Sequence, residues 1–145
     1  NGDGCENNCT ASPSGVEFRG SGNMCNEWQT FRGAIQNNRS YTRIRFGRAG
    51  AGEFACNGGN ANTICQALRA GSSTSVTCDG RSWGVRTGCS AQGQHADKPE
   101  LYVDSGACSC SSRYSARPCI FNNNWGGWNT ATCGSPAQTY YVICE

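Results

Sequence analysis

The sequence predicts a single α+β domain, mostly β, made of short antiparallel strands with two short helices and stapled by disulfides. Three observations carry this. Leu, Ile, Val and Phe together supply only 17 of the 145 residues, too few for a large aliphatic core. Twelve residues are cysteine, an even number that can pair throughout. Period-2 runs of apolar and polar residues recur along the chain, punctuated by turn residues. The length suits one domain over residues 1–145, and no repeat, linker or charge run divides it.

The cysteines are Cys5, Cys9, Cys25, Cys56, Cys65, Cys78, Cys89, Cys108, Cys110, Cys119, Cys133 and Cys144. There is no Cys-x-x-Cys and only one histidine, so the spacing favours disulfides over a metal site. Each bridge restricts the unfolded chain and contributes roughly 2–4 kcal/mol. Such a chain belongs in an oxidising, extracellular compartment. The spacing does not say which cysteine pairs with which. The chain opens on Asn1 rather than Met, which predicts a mature form whose leader has been removed. Chain ends fray unless held, and the expectation is that both termini are tied down by Cys5 and Cys144 or by a neighbouring molecule.

The elements follow in order. Residues 1–15 read as coil pinned by Cys5 and Cys9, and residues 16–19 alternate as a short strand. Residues 26–35 read as a helix, with Trp28, Phe31 and Ile35 on one face and Asn26 as its N-cap. Residues 41–46 alternate again, with Thr42, Ile44 and Phe46 facing inward and Tyr41, Arg43 and Arg45 outward. Residues 47–60 read as loop. A second helix spans 63–70, with Thr63 and Gln66 as a capping pair and Gly71 as its stop. The clearest local signal is Asp79-Gly80 between the strand-like runs 74–78 and 81–85. Both turn residues tolerate positive φ, so this is a type I′ hairpin with Val76 opposite Trp83 and Thr77 opposite Ser82. Residues 100–103 and 138–144 read as the last strands.

Catalytic patterns are weak. A lone His95 excludes two-histidine chemistry, no Gly-x-Ser-x-Gly elbow accompanies it, and it reads as a surface-loop histidine. Glycosidase chemistry needs two carboxylates within about 5–10 Å, whereas Glu100 and Asp104 on one strand would stand about 13 Å apart. Fully paired cysteines leave no thiolate nucleophile. The chain is therefore expected not to be an enzyme, and no cofactor or metal is called for. No apolar run is long enough to span a membrane.

Eleven of the twelve basic residues are arginine, yet the net charge is only +2, too near zero for a nucleic-acid binder. Arg39, Arg43, Arg45 and Arg48 form either an outward stripe for sulfated or carboxylated polysaccharide or a charged strand face that discourages uncontrolled pairing; the second is the expectation. The loop Asn122–Asn129 combines Trp125 and Trp128 with Asn124 and Asn129. Indole faces and side-chain amides suit sugar binding, while two tryptophans over disulfides would equally replace missing aliphatic core. Two N-glycosylation sequons, Asn8-Cys9-Thr10 and Asn38-Arg39-Ser40, predict attached glycans.

Several stretches resemble a family of Cys-rich extracellular domains: Asn62-Thr63-Ile64-Cys65-Gln66-Ala67-Leu68, the Trp83 hairpin, Arg117-Pro118-Cys119-Ile120, Asn124-Trp125-Gly126-Gly127, and Thr132-Cys133 leading to Pro136-Ala137-Gln138-Thr139. The pattern is similar to subunits of glycosylated extracellular filaments from environmental microbes. That resemblance implies a structural, non-catalytic role, with copies of the same chain and attached glycans as partners. Under this expectation Tyr140-Tyr141-Val142-Ile143 is the segment marked out to complete a neighbour's sheet, the alternative being that Cys144 anchors it inside its own subunit. The alternative expectation is a secreted carbohydrate-binding protein using the Trp125/Trp128 loop.

Overall fold

The computed structural model describes residues 15–20, 24–48, 52–86, 99–103 and 140–145, and only the backbone of Met24, Cys25, Arg48, Arg86, Glu100 and Tyr140. Within them lie β1 (Val16–Arg19), α1 (Met24–Ala34), β2 (Arg43–Arg48), β3 (Glu53–Asn57), α2 (Gly59–Ala70), β4 (Thr74–Cys78), β5 (Arg81–Arg86), β6 (Glu100–Val103) and β7 (Tyr140–Cys144). Every strand pair is antiparallel. One sheet runs β1-β7-β2-β3 and the other β4-β5-β6. The α+β, mostly β class expected from composition and periodicity is the class observed.

The first sheet buries one face. Phe18, Val142, Phe46 and Phe54 form one cross-strand row, and Val16, Cys144, Ile44 and Cys56 another. Helix α1 packs on this face through Trp28, Phe31 and the following Ile35, all buried. The Phe18 and Trp28 rings meet edge to face at 4.9 Å, a geometry that adds about 0.5–1.5 kcal/mol to area burial. Trp28 Nε1 donates to the Pro99 carbonyl at 2.8 Å, which fixes α1 against the entry of β6. Aromatic rings thus take the space that Leu and Ile fill in ordinary cores.

Helix α2 lies against both sheets, with Ala61, Ile64, Cys65 and Leu68 as its buried stripe, the spacing of one helical face. Gly71 ends it in the left-handed region, at φ 74°, donating its N–H to the Ala67 carbonyl. Arg32 of α1 donates its Nε to the Leu68 carbonyl at 2.6 Å, filling one of the acceptors a helix end leaves open. Burial lowers the Arg32 pKa.

Two disulfides close the described body. Cys56–Cys78 ties β3 to β4 and so joins the sheets, and Cys65–Cys144 ties α2 to β7. Their sequence separations are 22 and 79, for which loop closure gives about 3 and about 4.5 kcal/mol respectively. The disulfide-rich expectation holds for these four cysteines. Cys5, Cys9, Cys89, Cys108, Cys110, Cys119 and Cys133 lie outside the described residues, and Cys25 is placed only as part of α1.

Four local expectations are corrected. The loop expected over 47–60 holds the end of β2, all of β3 and the start of α2. Residues of β3 have weak strand preference, and the ladder to β2 supplies what propensity does not. Helix α1 starts at Met24, so Asn26 lies inside it rather than capping it. Thr63 does not cap α2 either: its hydroxyl donates to the Gly59 carbonyl one turn back, and the N-cap is Gly58. Tyr41 is buried and Thr42 exposed, the reverse of the expected phase, because β2 begins only at Arg43. The Asp79-Gly80 turn stands as expected, with φ 53° and 71° and Val76 opposite Trp83.

Candidate functional site

The outer face of the four-stranded sheet carries a connected charge cluster. Register places Arg19, Tyr141 and Gly47 in one row and Glu17, Ile143 and Arg45 in the next. Arg45 donates through Nε to Glu145 at 2.8 Å and through a terminal nitrogen to Glu53 at 3.3 Å. Arg43 lies within 3.8 Å of Glu53 and 3.9 Å of Glu145, and Arg19 pairs with Glu17. Tyr141 donates its hydroxyl to Glu53. Its ring lies over Gly47, where a Cβ would come within 2.5 Å of the Tyr141 oxygen, so only glycine admits this crossing.

Electrostatics follow from these contacts. Burial works to lower the Arg45 pKa but is outweighed by the hydrogen bond to Glu145 and the charges of Glu145 and Glu53, so Arg45 stands above the ordinary guanidinium value. Burial raises the Tyr141 pKa, and the bond to Glu53 and its charge raise it further. Arg43 and Arg45 are therefore charge-paired within their own sheet. Arg43 and Arg45 face outward as expected, but Glu53 and Glu145 answer them. Arg39 stacks over the Tyr41 ring at 4.7 Å, and the side chain of Arg48 lies outside the described residues. Among the described residues Arg43 and Arg45 therefore sit on a strand face that supplies their acidic partners. Its acidic half was not legible in sequence, since Glu145 meets Arg45 across 100 residues.

Among the described residues β1 pairs on one side only, with β7. Beside it an open groove of ≈ 470 Å³ runs between β1 and α1, with Val16, Phe18, Phe31 and Ala34 in its lining and Glu17 and Glu27 among its polar members. A smaller cleft of ≈ 360 Å³ lies where β3 meets the β4–β5 hairpin, lined by Glu53, Phe54, Asp79, Arg81 and Trp83 among others. The buried Trp83 Nε1 has no acceptor among the described residues. The segment marked out to pair with a neighbour is instead an internal strand: β7 is hydrogen-bonded to β1 on one side and β2 on the other, and Cys144 is bridged to Cys65.

Asn38 occupies the turn between α1 and β2. The Arg39 N–H donates to the Gln36 carbonyl at 3.3 Å and closes the turn. Gln66 Nε2, from α2, donates to both the Gln36 and Arg39 carbonyls, at 2.8 and 3.0 Å. The Gln36 N–H donates to the Tyr41 hydroxyl, and the Tyr41 N–H to Asn62 Oδ1. Asn38 and Ser40 are exposed.

The remaining sequence candidates Asn8, His95, Asn124, Trp125, Trp128 and Asn129 lie outside the described residues. Among the described residues no group of three or more His, Cys, Asp or Glu is arranged to hold a metal ion, and no helix is long and apolar enough to cross a membrane. No protein family, curated protein or solved structure matches the chain.

Proposed function

We propose that this chain is a non-catalytic structural subunit of an extracellular helical filament or surface fibre, assembled from copies of itself by head-to-tail contacts. The observation that supports it most is the sheet margin: β1, paired on one side only among the described residues, lies beside the apolar-lined groove against α1. A strand edge offers unpaired backbone groups to another chain, and side-chain pockets beside it set the register. When such a patch meets a different patch on the next copy, the contact repeats without closing and an open helix results. With β7 internal, β1 is the margin this reading uses. The body behind it suits the role, since disulfides hold α2, β7 and both sheets together and persist outside the reducing cytosol.

Electron microscopy of native material, without reduction or refolding, tests the proposal. Long fibres with a regular repeat are expected. Discrete particles at high concentration would remove the filament reading and favour the carbohydrate-binding one, in which Trp125→Ala or Trp128→Ala abolishes glycan binding while the fold survives.

A further inference from the structure

We infer that the cleft between β3 and the β4–β5 hairpin is a binding site for a neutral sugar unit. This goes beyond the structural role proposed above and does not depend on it. Strands β3 and β1 are opposite margins of the four-stranded sheet, so the two readings use different strands. The site also draws on none of the residues of the Trp125/Trp128 loop.

The cleft is walled by two elements held in fixed relation. On one side stands β3, contributing Phe54 and Ala55; on the other the hairpin, contributing Asp79, Arg81 and Trp83. The Cys56–Cys78 disulfide ties β3 to β4, and Asp79 and Gly80 form the tight turn at positive φ. The Arg81 guanidinium reaches across to lie over the Phe54 ring at 4.9 Å, a cation–π contact that fixes it at the cleft wall. Walls set in place before a ligand arrives reduce the ordering cost of binding. The volume, ≈ 360 Å³, is that of a small-molecule site.

Three functional groups set the chemistry. Trp83 lines the cleft although it is fully buried, and its Nε1, a donor only, has no acceptor among the described residues. A buried donor without an acceptor costs free energy, and a ligand oxygen seated beside it removes that cost. The Arg81 guanidinium is likewise donor only, and the Asp79 carboxylate acceptor only. A ligand that spans this set must both accept and donate over a short distance, as adjacent hydroxyls do. Charge disfavours the neighbouring ligand classes. Asp79 and Glu53 oppose an anion, and Glu53 is already engaged by Arg43, Arg45 and Tyr141. Arg81 opposes a cation, and among the described residues no group of three or more His, Cys, Asp or Glu is arranged for a metal. The apolar lining of Phe54, Ala55 and the Trp83 indole suits the C–H faces of a sugar ring.

Proton–nitrogen NMR of the intact, disulfide-bonded chain tests this. Trp83→Phe identifies the Trp83 indole signal among the four tryptophans. Glucose, galactose and mannose are each titrated, with glucuronate as the anionic comparison. At least one neutral hexose is expected to move that signal saturably. Asp79→Asn keeps a residue tolerant of positive φ in the turn. It and Arg81→Gln should each weaken that hexose's affinity about tenfold or more at an unchanged unfolding midpoint. If Arg81→Gln lowers the midpoint, Asp79→Asn decides alone. The inference is overturned if no neutral hexose moves the Trp83 signal or if glucuronate alone does. It is overturned equally if affinity is undiminished in Asp79→Asn, as it would be were the Trp125/Trp128 loop the sugar site.

Discussion

Tyr141 shows how one residue organises a face. Its ring crosses Gly47 to reach Glu53 on β3, while Arg19 lies over its other side at 5.4 Å. Tyr102 lies over Gly84 in the second sheet in the same manner, so each sheet closes over a strand glycine with a tyrosine from its neighbour. The pH consequence has a definite sign. Tyr141 has its pKa raised above the ordinary 10.0, so once the pH exceeds that value the folded state holds a proton that the unfolded state has released. Stability from this group is complete below pH 10 and is lost as the pH climbs through the folded value. Tyr141→Phe is expected to flatten the alkaline limb of a plot of unfolding midpoint against pH, with little change near neutrality. An unchanged alkaline limb would show that the hydroxyl has no linked role.

At the scale of elements, α1 and α2 are joined by one guanidinium. Arg32 donates to the Leu68 carbonyl and to Gln29 Oε1, at 2.6 and 2.7 Å, and so connects a helix surface to a helix end. Arg32→Ala is expected to cost about 1–2 kcal/mol, because it leaves the partly buried carbonyl without its donor. Arg32→Lys should recover only part of that loss, since an ammonium lacks the fork that serves both acceptors. Urea unfolding of the two variants measures this, and equal stability of Arg32→Ala and the parent would refute it. Elements with strong internal period were legible in the sequence: Trp28, Phe31 and Ile35 on α1, and both strands of the Asp79-Gly80 hairpin. Strand β3 was not, because Glu53, Ala55 and Asn57 disfavour strands and only pairing with β2 makes them one. The early start of α2 was hidden likewise. Gly59 and Asn60 are poor helix formers, held by Gly58 N–H donating to the Thr42 carbonyl and Asn60 to the Thr77 carbonyl.

For the whole molecule the disulfides divide the work. Cys65–Cys144 fastens the chain's last strand into the middle of the first sheet, and Cys56–Cys78 holds the sheets together. Replacing Cys65 and Cys144 together by alanine is expected to cost about 4.5 kcal/mol, against about 3 for the Cys56 and Cys78 pair, because the longer closed loop restricts the unfolded chain more. Thermal unfolding of the two double variants gives the order, and the reverse order would show that native packing, not loop length, sets it.

The sequence by itself determined the class of this protein, the apolar face of its first helix, the hairpin register, and the reliance on cysteine and aromatic side chains where aliphatic ones are scarce. Those are short-range matters, settled by residues a few positions apart through period, turn chemistry and composition. Only the tertiary structure decided how Cys56, Cys65, Cys78 and Cys144 pair, that residues 140–144 form an internal strand, that Glu53 and Glu145 pair with Arg43 and Arg45, and that Gln66 and Asn62 brace the turn bearing Asn38. Each depends on groups distant in sequence, up to 100 residues apart. Such contacts follow from closing long loops around a shared core, and no local pattern in the chain encodes them.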